Sequence, residues 1–495
     1  MSKHFPPTLL TDFYKISHVA QYPEATSTVY STWIARESLI GGIDHVVAFG
    51  AQSVIQRYFV EYFNEHFFAR PLDEILAEYT RIIRNTLGVE SPPTAHLESL
   101  WSLGYLPLEI RALPEGTLTP LRVPMVTAVN TIDEFYWLTN FVETLFSAES
   151  WILTTSATLA FEYRKLFERY ALETGGDLTA VPFQGHDFSF RGLSSIEAAA
   201  ASGAAHLLSF YGTDTIPGIL FHEYYYGADT DTEMVGVSIP ATEHSVMCAY
   251  GNEGPDDEFN SFVRLITDLY PTGFVSIVSD TWDLWRVIGE YLPLLKDQIM
   301  ARDGRVVIRP DSGDPVDIVA GTGSGDGSLA DLGVVESLWN VFHGTINDQG
   351  FKMLDAHIGV IYGDAISLSS ATRILARLKD KGFASTNIVF GIGSFTYQHT
   401  NRDTFGHAFK STSVTVGGVE KAIFKDPVTD PHHMKRSLRG RVAVRHNGND
   451  LEVIDGLTSR DVLEDDLLRV VFRNGEVSNV QTLAEIRTRL LSNLS

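Results

Sequence analysis

The stretch VSIPATEHS (237–245) closes a short β-branched run at Pro240 and sets a histidine, His244, four residues beyond it, between Glu243 and Ser245. Imidazole changes charge near neutral pH, and its neutral form is a nucleophile or proton carrier once a neighbour orients it. A metal-ligand reading has less behind it: no second histidine follows at i+3 or i+4 and no H-E-x-x-H pattern occurs, so no metal ligand is assigned. Five aspartates, Asp187, Asp214, Asp280, Asp311 and Asp364, also follow apolar runs. Any one of them alone reads as a turn or helix cap. Five on one rim would repel and raise each other's pKa, so the group calls for cations, Mg²⁺ or basic side chains. Arg191, Arg309, Arg402, Lys410 and Lys425 can supply them, and the rim reads as a site for an anionic ligand.

Glycine adds a second signal. Tyr362-Gly363-Asp364 and Gly391-Ile392-Gly393-Ser394 place glycines at strand ends, where backbone N–H groups can turn toward a phosphate and a helix N-terminus follows. One G-x-G is weak, but two on neighbouring units match the usual phosphate loops of barrel enzymes. Phe188, between Asp187 and Arg191, offers an aromatic face for a flat ring, and Tyr14 is a further aromatic residue beside polar groups.

These residues need elements that converge. From Asp187 through Asp214, His244, Asp280, Asp311 and Asp364 to Gly393, five of the six intervals are 27–36 residues, the length of a strand plus a crossover helix. The sixth, 53 residues, holds GTGSGDGS, a surface excursion. Seven such units predict an irregular parallel α/β barrel over 146–404, with an open doubly wound sheet as the alternative. In a barrel the strand C-termini carry the chemistry. Helix starts agree: Ser194 to Glu197 reads as a capping box, and Asp314-Pro315 as an N-cap followed by proline at the first helical position. Residues 1–145 and 405–495 mix helical patterns with short strands and predict a second, α+β domain built from both flanks. There Asn474-Gly475 signals a type I′ hairpin and Thr482 to Glu485 a capping box.

The 495 residues, 44% apolar and 20% charged, are those of an ordinary globular chain of two or three domains. A net charge of -24 disfavours nucleic acid or an anionic membrane as partner, while a small phosphorylated ligand needs only a local knot of cations. The single cysteine, Cys248, fits a reducing cytoplasm and reads as a small buried hydrophobe. No apolar run is long enough for a signal peptide or a membrane span.

Read together, LLTDFYKISHVAQYP (9–23), HDFSFRGLSS (186–195), GTDT (212–215), PATEHS (240–245), VSDTWD (278–283), IRPDSGDP (308–315) and FKDPVTDP (424–431) resemble the nicotinamide-using members of the type II phosphoribosyltransferase family. The resemblance covers nearly the whole chain. It implies a homodimer with interface active sites that joins nicotinamide to phosphoribosyl pyrophosphate, giving nicotinamide mononucleotide and pyrophosphate for NAD salvage, with Mg²⁺. By resemblance, Phe188 and Tyr14 of the partner chain sandwich the pyridine ring and Asp214 accepts the carboxamide NH₂. Arg191 and Arg309 line the ring and ribose-phosphate, and Asp311 holds the ribose hydroxyls. Gly363, Asp364, Gly393 and Ser394 form the product loops, and Arg36, Arg402, Lys410 and Lys425 are phosphate positions. His244 matches the histidine that the family phosphorylates from ATP, and the resemblance makes Glu243 and Asp280 the carboxylates expected to orient its ring. Ala365 and Ser394 stand where the family carries glycine, Ala408 replaces a hydroxyl residue and Phe13 a small one. Two alternatives remain: a nicotinate phosphoribosyltransferase, which a buried carboxylate at Asp214 argues against, and a non-catalytic descendant, which would have lost Asp214, His244, Arg309 or Asp311.

Overall fold

The computed structural model describes residues 4–251, 255–424 and 437–494. The chain divides into two compact units, one of Met1–Thr158, Glu223–Ala228 and Thr400–Asn493, the other of Leu159–His222, Asp229–His399 and Leu494–Ser495.

Val306, Ile308, Ile358, Val360, Ile388 and Ile392 are buried, as suits strands covered on both faces. They belong to a six-stranded sheet in the second unit, in the order Gly212–Thr213, Gly185–Asp187, Ile388–Ile392, Ile358–Tyr362, Asp303–Arg309, Thr272–Val278. Every pair in it is parallel. The seventh expected strand, leading to His244, is not one. Val237 and Ala241 make isolated parallel bridges to Gly212 and Ser276, one to each edge strand, so the barrel closes through a segment paired only at its ends. Pro240 explains this: it has no N–H for a ladder, and its carbonyl accepts from Ser276 N at 2.9 Å. The segment then enters a helix of one turn, His244–Cys248.

The crossover helices start on side-chain caps. Asp283 accepts from Trp285 N and Arg286 N, Asp314 from Val316 N and Asp317 N with Pro315 following, and Ser367 from Ser370 N. The helix Ile196–His206 is capped by Ser195, not by the expected Ser194, whose N–H is taken by Gln398 Oε1 at 3.0 Å. Cys248 also departs from expectation. It is exposed, because Met247 is the residue of that short helix turned fully inward.

The first unit carries an antiparallel seven-stranded sheet that interleaves the two ends of the chain, in the order Val419–Ala422, Ala408–Val416, Thr26–Ile34, Pro124–Asn130, Leu108–Ala112, Arg469–Arg473, Glu476–Val477. The last two strands meet at Asn474-Gly475, both at positive φ as a type I′ turn requires. Thr482 and Glu485 form the capping box of the helix Leu483–Leu491. The boundary drawn at 145 falls inside the unbroken helix Leu138–Thr174. Glu223–Ala228, placed by sequence in the barrel, belongs to this unit. Tyr226 explains it: the phenol is fully buried and donates to Glu115 Oε2 at 2.7 Å. Among the described residues no helix is long and apolar enough to cross a membrane.

Candidate active site

The parallel strands deliver their polar residues to one end of the barrel unit. Asp280 follows the Thr272–Val278 strand, Arg309 ends the next, Asp303–Arg309, and Asp311 follows it. The side chain of Asp280 is 7% exposed, and one oxygen, Oδ2, accepts from Asp311 N and Ser312 N, both at 2.8 Å, and from the Ser312 hydroxyl. Its other oxygen, Oδ1, is buried without a hydrogen-bond partner. His244 Nε2 stands 3.8 Å from Asp280 Oδ1 and 3.8 Å from Asp311 Oδ2, while Nδ1 is 3.3 Å from Thr281 Oγ1. Glu243, expected to orient the ring, has its carboxylate engaged by the Ser245 hydroxyl instead. Adjacent residues at a helix start point in different directions, so closeness in sequence does not bring the two side chains together.

Burial raises the Asp311 carboxyl above its ordinary range; Arg309 opposes the rise, and Asp280 and Asp364 add to it. Arg309 donates to Thr242 O at 2.7 Å and lies 5.9 Å from the centre of the Phe188 ring. Its guanidinium is pulled down by burial and supported by Asp311, Asp214 and Asp280, with Arg191 opposing. The carboxylates and the arginines therefore share one field. Asp187 does not join them at the open rim: it is fully buried, and its Oδ1 accepts from Ser189 N at 2.8 Å.

Asp214 is 43% exposed rather than buried, and its Oδ1 accepts from His186 Nε2 at 2.9 Å and from the Ser238 hydroxyl at 2.5 Å. Burial pushes its carboxyl up, but His186, Ser238 and Arg309 outweigh that and hold it below the usual range, so it is an anion at neutral pH. Beside it the Phe188 ring packs 4.6 Å from the His186 ring. Asp214, Phe188 and Ser238 line a cavity of about 570 Å³ that reaches Phe274 and Arg305 near the N-terminal ends of their strands. Neither His186 nor Ser238 stood out in sequence. The only signal for them was their place inside HDF and VSIP.

The glycines act through close approach. A Cβ on Gly363 would lie 2.7 Å from Asp311 Oδ1, and one on Gly391 would lie 2.6 Å from Phe188. Gly391→Ala therefore displaces the ring that Phe188 offers to a flat ligand. The expected result is a rise of about tenfold in the Kd of that ligand, measured by calorimetry. A side chain at Gly192 would collide with Ser394, so the Ser394 hydroxyl fills space that this glycine leaves. Gly393 has open space around it, and Asp364 is exposed. Ala365 adopts φ 52°, a left-handed conformation that costs an L-residue about 1–2 kcal/mol and a glycine little.

In the flanking unit Arg36 donates through Nε to Gly406 O at 2.8 Å, and Arg402 pairs with Asp403 at 3.2 Å. Loss of solvent lowers the Lys410 ammonium; Glu143 opposes, and Arg36, Lys15 and Arg402 add to the fall. Beneath them His407, stacked on Trp33, is pushed down to about 3 by burial, with Arg402 and Arg36 contributing. Tyr14 is 62% exposed in this same unit. Lys425 lies outside the described residues.

The family model for the nicotinate phosphoribosyltransferase (NAPRTase) family matches residues 183–476, and the N-terminal domain of nicotinamide phosphoribosyltransferase matches residues 8–70. A nicotinamide phosphoribosyltransferase of Acinetobacter baylyi is 46% identical, covering 100% of this chain and 99% of that protein. One of Mycoplasma pneumoniae is 35% identical over 89% of this chain and 96% of its own length. Among solved structures, human nicotinic acid phosphoribosyltransferase superposes with a TM-score of 0.58 at 17% identity, covering 98% of this chain and 94% of that one. The nicotinate-nucleotide pyrophosphorylase of Pyrococcus furiosus gives 0.56 at 14% identity, covering 100% and 97%. At such identities the two structures speak for the fold, an irregular parallel α/β barrel of the type II phosphoribosyltransferase kind with an α+β companion.

Proposed function

The chain belongs to the nicotinate phosphoribosyltransferase family, and from that premise we propose that it transfers the 5-phosphoribosyl group of phosphoribosyl pyrophosphate to nicotinamide. The products are nicotinamide mononucleotide and pyrophosphate, a pentosyl transfer of NAD salvage. One observation carries the choice of the amide: Asp214 is an anion beside the Phe188 ring, with one oxygen, Oδ1, already taken. Such a carboxylate accepts an N–H from an amide and repels a second carboxylate.

In the transfer the pyridine nitrogen bonds to C1 of the ribose while the C1–O bond breaks, and that bond's electron pair leaves with pyrophosphate. No proton need move. The protein's part is to orient the ring and to stabilise charge on the sugar and on the departing oxygens. Phe188 and Asp214 orient the ring, with Tyr14 offered from a second copy of the chain in a homodimer. Asp311 faces the ribose hydroxyls, and Arg309 and Arg191 the phosphate side. Gly363, Asp364, Gly393 and Ser394 cradle the product's ribose and 5′-phosphate. Arg36, Arg402 and Lys410 take pyrophosphate or ATP phosphates.

Mg²⁺ suits the orphaned Asp280 Oδ1 and the neighbouring Asp311, which would hold it; bound there, it would neutralise charge on the leaving pyrophosphate. Among the described residues no group of three or more His, Cys, Asp or Glu could hold a metal, so phosphate oxygens and water would complete its shell. His244 is read as the acceptor of a phosphoryl group from ATP. Nε2 faces the carboxylates of Asp280 and Asp311 and Nδ1 faces Thr281 Oγ1, so the ring is held while one of its nitrogens bonds phosphorus and the P–O bond to ADP breaks. The single cysteine suits work in a reducing cytoplasm.

The test is product analysis with nicotinamide and nicotinate in parallel, each with phosphoribosyl pyrophosphate and Mg²⁺, with and without ATP. Nicotinamide mononucleotide is expected, in greater yield with ATP. Equal yields from the two rings would overturn the amide reading, and no mononucleotide at all would overturn the enzyme reading.

A further inference from the structure

The HDF and GTDT motifs meet at Asp214 in a way that neither reveals alone. His186, 9% exposed, reaches Asp214 Oδ1 at 2.9 Å through Nε2, and Ser238, from the irregular closing segment, donates to the same oxygen at 2.5 Å. Two donors on one carboxylate oxygen fix its plane and leave Oδ2 to accept from elsewhere. The backbone is pinned as well, since Asp214 N donates to Asp187 O at 2.9 Å. The glycine of GTDT makes room for the histidine: a Cβ on Gly212 would lie 2.8 Å from His186 Nδ1. The same imidazole packs on Phe188 at 4.6 Å, so one side chain steadies both the ring platform and the acceptor.

We propose that His186 and Ser238 are positioning residues that set the preference for an amide over an acid, by holding one oxygen of Asp214 so that the other faces the substrate amide. The inference rests on the reading that Asp214 contacts that amide. An Asp214 freed of both donors can turn away from the amide, and in turning it carries its charge away from the place an acid would occupy. Loss of the clamp therefore weakens nicotinamide without weakening nicotinate in step.

The experiment measures kcat and KM for nicotinamide and nicotinate in the unsubstituted enzyme and in Ser238→Ala, His186→Ala, His186→Gln and Asp214→Ser. His186→Ala is expected to lower kcat/KM for nicotinamide about 10- to 100-fold, mostly through KM, and to lower the amide-to-acid ratio at least about tenfold. Glutamine places an amide N–H near the position of Nε2, so His186→Gln is expected to keep the ratio within about threefold of the parent. Ser238→Ala, at an exposed position, is expected to lower the ratio about three- to tenfold, and it carries the test if His186→Ala does not fold. If every folded clamp variant keeps the parent ratio while Asp214→Ser collapses it, the clamp is refuted and the amide contact stands. If Asp214→Ser also keeps the ratio, the amide contact itself is refuted and the clamp with it.

Discussion

His244→Ala is expected to abolish ATP hydrolysis, by more than about 10³-fold, and with it the stimulation of synthesis by ATP, while transfer without ATP remains measurable. The expectation follows from what each half-reaction needs. Forming the C–N bond requires neither a base nor a covalent intermediate on the protein, because the pyridine nitrogen is itself the nucleophile. Cleaving ATP through the protein requires a nucleophile, and His244 is the imidazole set between Asp280 and Asp311. Its side chain is 45% exposed, so truncation leaves little buried space behind and the fold survives. The measurements are phosphate release from ATP, acid-labile incorporation of labelled γ-phosphate, and mononucleotide yield with and without ATP. An ATPase rate within twofold of the parent, or unchanged labelling, would sink the phosphohistidine role.

The barrel was legible because its strands carry buried apolar runs, such as VVI (306–308) and IGVIY (358–362), at the spacing of a strand plus a crossover helix. The closing segment has the same apolar pattern but pairs only at its ends. Pro240 denies it a ladder, which turns an apparent strand into two isolated bridges. Local chemistry read well where it is decided locally: the Asp314-Pro315 start, the Thr482–Glu485 box and the Asn474-Gly475 turn all form where the residues demand them. It failed where a distant group competes. Ser194 loses its capping role to Gln398, and Glu223–Ala228 leaves the barrel unit because Tyr226 finds Glu115.

The site followed the same rule. Residue types at strand ends point to a mixed field of acids and bases, and Asp280, Asp311, Arg309 and His244 stand together in the structure. Direction was not legible. Asp187 ends a strand like the others yet is fully buried, and Glu243 lies next to His244 in sequence while bonding to Ser245. Nothing in the local sequence sets His186 apart from a core histidine. What distinguishes it is a single 2.9 Å contact across 28 positions of sequence.

That contact bears on the second large effect, the collapse of substrate preference in Asp214→Ser. In the unsubstituted chain a carboxamide can donate N–H to the free oxygen of an anionic Asp214, a charge-assisted bond worth about 1.5–3 kcal/mol. Half-exposure of the carboxylate argues for the lower end, a loss of about 10- to 30-fold in kcat/KM for nicotinamide when serine replaces it. Nicotinate moves the other way. Its carboxylate would face the fixed charge at Asp214 across a few ångströms, a repulsion of about 1–4 kcal/mol between the dielectric of water and that of a protein surface. Serine removes the charge and supplies a hydroxyl that can donate to an acid. The nearby Arg309 then counts in full for the anionic ring. The two shifts multiply, and the amide-to-acid ratio is expected to fall by about 10²-fold or more, with nicotinate becoming a usable substrate. Steady-state kcat/KM for both rings at saturating phosphoribosyl pyrophosphate measures it. Retention of the parent ratio would mean that selectivity lies in the shape of the cavity around Phe188, and comparable values for both rings in the parent would mean that the Asp214 charge does not select at all.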